Sequence, residues 1–214
     1  MIIDNFRAIE KILFFDDRQE TFYFIQVLLR KKDLPEKVGS NSVVLKTMYV
    51  DSMDSWKKKE ALIRDLCDKT GARAYIHPMP KSYKMMTKQM LKIISDKIYN
   101  GDFQSPQNVA EKAAGTIKGD FPRWVVDLDN ITAEQTKEYI DIINNVCEPR
   151  EMTSKDILTL PTKHGFHLIA KPFNVNTLKI ECETRGMVFP DIHKNNPTLL
   201  YVNDALHTGV KQPI

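Results

Sequence analysis

Apolar residues recur along the chain in short blocks, separated by polar, glycine- or proline-bearing joints, and the spacing within each block predicts an element. From Glu20 to Lys32 (ETFYFIQVLLRKK) the apolar positions fall at helical spacing, and the last turn is basic, which suits a helix dipole; a helix is predicted there. Lys37 to Ser42 reads as a turn-like linker. Val43 to Val50 (VVLKTMYV) is rich in β-branched residues and predicts a strand. A helix opened by Asp54 runs to Lys69, with Gly71 placed to stop it. Ala72 to His77 predicts a second strand and Ser82 to Tyr99 a long helix. Gly101 to Gly119 reads as a connection holding one short helix, Gln107 to Ala114.

Beyond that connection the pattern changes. Trp124-Val125-Val126 is a short apolar run, bounded upstream by Gly119 and Pro122, that predicts a buried strand. Thr132 caps a helix to Val146, with Glu134 as the acid of a capping box. Ile157 to Leu160 and Phe166 to Ala170 predict a hairpin closed over Pro161-Thr-Lys-His-Gly165. An amphipathic segment spans Asn176 to Glu183, and Thr198 to Val202 (TLLYV) predicts a last strand. The β-α-β-α succession of the first half argues for an α/β lobe over residues 1–118, with a second lobe over 119–214, the two forming a single core of 1–214.

Composition narrows the setting more than the chemistry. A chain of 214 residues is long enough for a sizeable core, as one large domain or two packed lobes. The net charge of +3 is too slight to point to nucleic acid; only local clustering of basic residues can do that. Three cysteines, Cys67, Cys147 and Cys182, lack any zinc-type spacing and imply free thiols in a reducing cytoplasm. No signal peptide is seen and no apolar run approaches membrane-spanning length, so a cytoplasmic protein with no membrane partner is expected.

Three clusters carry candidate chemistry. Asp127 and Asp129 end the Trp124 strand two residues apart, so both carboxylates project to one face. Anions held that close repel unless a cation intervenes, and a hard divalent ion, Mg²⁺ or Mn²⁺, matches oxygen ligands. The same residues also read as the polar exit of a strand, with Asn130 and Thr132 capping the next helix. The hairpin brings Lys163, His164 and His167 together around a glycine-containing turn, a grouping suited to an anion such as a triphosphate. Arg73, Lys81, Lys84 and Lys88 gather at a strand-to-helix junction, either as a solvated basic face or as a phosphate site beside helix N-terminal amides.

The order Asp127-x-Asp129, then Gly165-x-His167-Leu-Ile, then Asp191 followed by a basic stretch and Leu199-Leu-Tyr201 resembles the archaeo-eukaryotic primase superfamily, its primase-polymerase branch above all. The resemblance covers Trp124 to Tyr201 and, in the first half, only the βα character; Gly165 stands where that family commonly has Ser. It implies an α+β fold, with a palm-like antiparallel sheet of RNA-recognition-motif type beside the N-terminal α/β lobe. It implies a nucleotidyltransferase acting in DNA replication or repair, in which Asp127, Asp129 and Asp191 hold two divalent ions, Mg²⁺ or Mn²⁺. Those ions activate a primer 3′-hydroxyl and stabilise the departing pyrophosphate. His167 is implied to meet the phosphates of the incoming nucleoside triphosphate, with His164, Lys163, Lys171 and Lys194 beside it. Arg73, Lys81, Lys84 and Lys88 are the expected contacts to DNA template and primer, and a helicase or other replication protein would come on a separate chain. Asp191 is expected as the third carboxylate ahead of Asp204, because Val188-Phe189-Pro190 precedes it and His193 and Lys194 follow. The alternatives are a non-catalytic nucleic-acid-binding accessory protein of replication, a metal-dependent nuclease, and a sugar-nucleotide transferase, for which the sequence offers no further feature.

Overall fold

The computed structural model describes residues 1–16, 18, 20–30, 42–150 and 155–205. The chain is α+β with antiparallel sheets. It divides into two compact units, Met1–Phe121 together with the chain from Leu199, and Pro122–Thr198.

The first unit begins with β1 (Ile2–Asp4) and α1 (Phe6–Glu10), followed by β2 (Thr21–Arg30). Residues 21–30 are therefore a strand, not the predicted helix; Lys31 and Lys32 lie outside the described residues. The apolar run TFYFIQVLLR fits helical spacing, yet it equally suits a strand buried on both faces, and its aromatic and β-branched content favours the strand. Phe22, Tyr23, Phe24, Ile25 and Val27 are all buried. β2 is an interior strand: it pairs antiparallel with β3 (Ser42–Val50) along one edge, and with β4 (Arg73–Ile76) and β5 (Lys81–Ser82) along the other. Of the expected linker only Ser42 is described, and it opens β3.

Since β3 and β4 both run opposite to β2, they run parallel to each other with β2 between them. The helix α2 (Met53–Thr70) joins them in a split β-α-β unit. The N-terminal unit thus has antiparallel pairing where an α/β lobe was expected. Ser52, not Asp54, caps α2 by accepting from the Ser55 amide, and Gly71 ends it in the left-handed conformation at φ 70°. Ser82 caps α3 (Tyr83–Tyr99), whose Met86 and Ile93 pack with Phe22 and Phe24 and with Ala113 and Ala114 of α4 (Val109–Thr116).

The second unit runs β6 (Trp124–Asp129), α5 (Ala133–Asp141), β7 (Leu158–Pro161), β8 (Gly165–Ala170), α6 (Val175–Arg185) and β9 (Asp191–His193). The strands lie in the order β7-β8-β6-β9, each neighbouring pair antiparallel. A β-α-β-β-α-β succession on such a sheet is the ferredoxin-like motif. Alternation explains it: Val126 and Leu128 of β6 with Leu168 and Ala170 of β8 form one apolar face. That face is covered by Tyr139 of α5, Leu178 and Cys182 of α6, and Ile142 and Ile143 in the π-helical turn Ile142–Val146 that extends α5.

The capping box of α5 joins Thr132 to Gln135 and not to Glu134. The Thr132 amide donates to Gln135 Oε1 at 2.8 Å, and the Gln135 amide donates back to Thr132 Oγ1 at 3.3 Å. Glu134 stands one residue too early for the reciprocal bond.

β10 (Thr198–Asn203) does not close the second lobe. It pairs antiparallel with β1 and lies between β1 and β4 in the first sheet. All six of its residues are buried, so both faces of the strand are covered. Among the described residues no helix is long and apolar enough to cross a membrane.

Candidate active site

Asp127 sits on a central strand, and register decides its neighbours. It pairs with His167 on β8 and with Asp191 on β9. Residues directly opposite on adjacent strands share a face, so Asp191, Asp127 and His167 stand abreast in one row across the sheet. Asp129, two residues further along β6, shares that face, and His193 lies in the next row, opposite Val125. The alternation that turns Val126 and Leu128 onto the helices therefore turns the carboxylates the other way. Asp204, by contrast, follows β10 in the other unit and has no place in this row.

Two features fix the end of β6. Asn130 takes the left-handed conformation at φ 58°, which Asn tolerates better than most residues, and its amide donates to the His164 carbonyl at 2.6 Å. Across from Asp129, Gly165 passes so close that an added Cβ would lie 1.9 Å from the Leu128 carbonyl oxygen. Glycine is needed there for proximity, and a serine hydroxyl has no room.

His167 is held at both ring nitrogens. Nε2 lies 3.3 Å from Asp127 Oδ1, and Nδ1 lies 2.8 Å from Oγ1 of the buried Thr198, the last residue of this unit. Nε2–H donates to the carboxylate, and the threonine hydroxyl can serve Nδ1 as donor or as acceptor. The His167 hydrogen bond holds the Asp127 carboxyl below the ordinary range, against the opposing effect of partial burial; the charges of His167 and His193 add to the lowering. Asp127 is accordingly a carboxylate at neutral pH.

A cleft of about 640 Å³ opens beside the end of β6. Asp127, Asp129 and Asp191 line it together with Glu138 of α5 and the segment 186–190, which Tyr139 ties down by donating to the Val188 carbonyl at 2.7 Å. The described residues that line it include these four acidic residues and no lysine or arginine. Such a wall suits cations, and hard carboxylate oxygens suit Mg²⁺ or Mn²⁺. By donor type and by shared face, Asp127, Asp129 and Asp191 fit as ligands. As they stand, no three His, Cys, Asp or Glu side chains among the described residues converge on a single metal position.

The expected cations are dispersed. Lys163 and His164 occupy the β7–β8 turn. Lys171 forms an ion pair with Asp156. Lys194 places its ammonium 4.7 Å from the centre of the Trp124 ring, and Trp124 belongs to the opposite face of β6 from Asp127. In the first unit the expected DNA-binding group of four does not share a surface. Arg73 and Lys81 are buried, and only Lys84 and Lys88 are exposed. Lys81 donates to the carbonyls of Ala114 and Ile117 at 2.7 and 3.1 Å, closing the C-terminal end of α4, and burial pulls its pKa down to about 8. The neighbouring His77 is pushed down to about 3 by burial and by the Lys81 charge.

The sequence gives no local signal for Thr198, which looks like the first residue of an apolar strand yet meets the His167 ring. No family model matches the chain, and neither a curated protein nor a solved structure matches it significantly.

Proposed function

We propose that the chain is a template-directed nucleotidyltransferase of the primase-polymerase type, joining nucleoside triphosphates to a DNA primer with Mg²⁺ or Mn²⁺. The observation that carries this reading is the row Asp191–Asp127–His167, with Asp129 two residues along on the same face and the acidic cleft beside it. A triphosphate approaches the neighbouring carboxylates of Asp127, Asp129 and Asp191 only with cations between them, so the electrostatics favour a metal-borne substrate. Asp127, Asp129 and Asp191 would hold those ions, which supply charge neutralisation on the phosphates and a more acidic primer hydroxyl.

The chain's own residues do the positioning. His167 lowers the Asp127 pKa further and, through Nε2, stands beside the carboxylate where the phosphates would arrive. Thr198 fixes the imidazole in one orientation. Such transfer needs little side-chain acid–base chemistry, because in-line placement and charge neutralisation lower most of the barrier. The fold by itself argues nothing, since ferredoxin-like sheets serve many activities. The proposed setting is the cytoplasm, where three buried, unbridged thiols stay reduced.

The test is extension of a labelled primer on a template, with ribo- and deoxynucleoside triphosphates in Mg²⁺ and in Mn²⁺. Template-ordered lengthening is the expected outcome. Shortened DNA identifies a nuclease, and bound but unaltered DNA identifies an accessory binder; either overturns the reading.

A further inference from the structure

Around its circumference α3 divides into three sectors. Met86 and Ile93 face the core formed with β2 and α4. Lys84, Lys88 and Lys92, four residues apart, make an exposed basic stripe, and the single acid of the helix, Asp96, lies beyond Lys92. Between the basic stripe and the buried side run Leu91, Ile94 and Ile98, which are 64%, 41% and 60% exposed. At about 100° per residue the three fall within an arc of about 60° and form one continuous ridge. Tyr99, the last residue of the helix, and Phe103 beyond it are 90% and 74% exposed. Isolated exposed aliphatics are ordinary, whereas a contiguous ridge beside a single-sign charge stripe marks an interaction surface.

We propose that this face of α3 docks an acidic amphipathic helix of a partner protein, with the partner's aliphatic side on Leu91, Ile94 and Ile98 and its carboxylates against Lys84, Lys88 and Lys92. Charge complementarity selects this occupant. A second copy packed antiparallel along the ridge sets lysine flank against lysine flank. Duplex DNA meets the lysines but leaves three aliphatics facing its phosphates. A lipid surface calls for a broad apolar face, and here the largest apolar sector is already turned into the protein. The inference does not depend on the chemistry proposed for Asp127.

The test measures fluorescence anisotropy of a labelled synthetic helix, leucines at i, i+3, i+4 and i+7 and glutamates on both flanks, titrated with the full chain. Micromolar binding is expected, with affinity lowered about tenfold or more in Lys84→Glu/Lys88→Glu/Lys92→Glu and equally in Leu91→Ser/Ile98→Ser. A lysine-flanked version of the peptide should not bind. Circular dichroism shows whether both variants keep the fold. Failure of the acidic peptide to bind, equal binding of the lysine-flanked peptide, or undiminished affinity in either variant overturns the proposal. So does assignment of the ridge to another occupant: a dimer in sedimentation velocity that Leu91→Ser/Ile98→Ser dissolves, binding to phosphatidylserine vesicles lost in both variants, or duplex-DNA binding lost only with the lysines.

Discussion

Gly165 sits in a space that only glycine fills. With an added Cβ 1.9 Å from the Leu128 carbonyl oxygen, Gly165→Ser must push β8 away from β6 at the level of Asp129. A loss of about 1–3 kcal/mol is expected, read as a lower urea midpoint with unchanged slope; an unchanged midpoint would show that the strands separate freely there. Asp127 gives a second residue-scale prediction. Its carboxyl is depressed first by the His167 hydrogen bond, so His167→Ala should raise it, as followed by carboxyl carbon NMR across an acid titration. The sign follows from linkage: a depressed carboxylate adds stability above its unfolded pKa of about 3.9, and that stability is lost as pH falls through the folded value. The variant should therefore lose less stability between neutral and strongly acid pH than the wild type. Spacing alone made the shared face of Asp127 and Asp129 legible, because alternation is local. The His167–Thr198 contact joins residues 31 apart in sequence, and no local pattern encodes it.

A polar face made α2 legible, and the lack of one misled at β2. Residues 53–70 carry Trp56, Ile63 and Cys67 on a single buried side with Gly71 as a stop, and read as a helix in the sequence, though the pattern places its opening at Asp54 and not at the Ser52 cap. β2 lies between partner strands on both edges and is buried on both faces; its apolar run loses the alternation that marks a strand, so helix and strand read alike. Lys81 shows the same limit for charge, since a lysine at a strand-to-helix junction looks solvated until its carbonyl partners are known. Lys81→Met leaves the Ala114 and Ile117 carbonyls without their donor and should destabilise the fold by about 1–3 kcal/mol. Burial lowers the Lys81 pKa from 10.5 to about 8, so between those values the unfolded chain binds more protons, and stability rises with pH. Urea unfolding at the two ends of that window should show the rise in the wild type and its absence in Lys81→Met.

At the scale of the whole molecule the proposed chemistry lies within the second unit, and strand pairing favours one aspartate over another as its third carboxylate. Asp191 enters on β9, directly opposite Asp127, whereas Asp204 leaves from β10 in the first unit's sheet. Both follow apolar runs, so their local patterns are alike and only strand pairing separates them. Asp191→Asn should reduce incorporation by about 10²–10³-fold and Asp204→Asn should leave it unchanged. An inactive Asp204→Asn beside an active Asp191→Asn would move the third carboxylate out of this row.

The central claim is that Asp127 and Asp129 hold the ions for nucleotidyl transfer, and primer extension by Asp127→Asn/Asp129→Asn beside the wild type tests it most directly. The near-isosteric amides keep the strand while removing both charges. Template-directed extension by the wild type in Mn²⁺ or Mg²⁺ is expected, with loss of about 10²–10³-fold or more in the folded double variant; extension at the wild-type rate by the double variant, or none by the wild type in either metal, would contradict it.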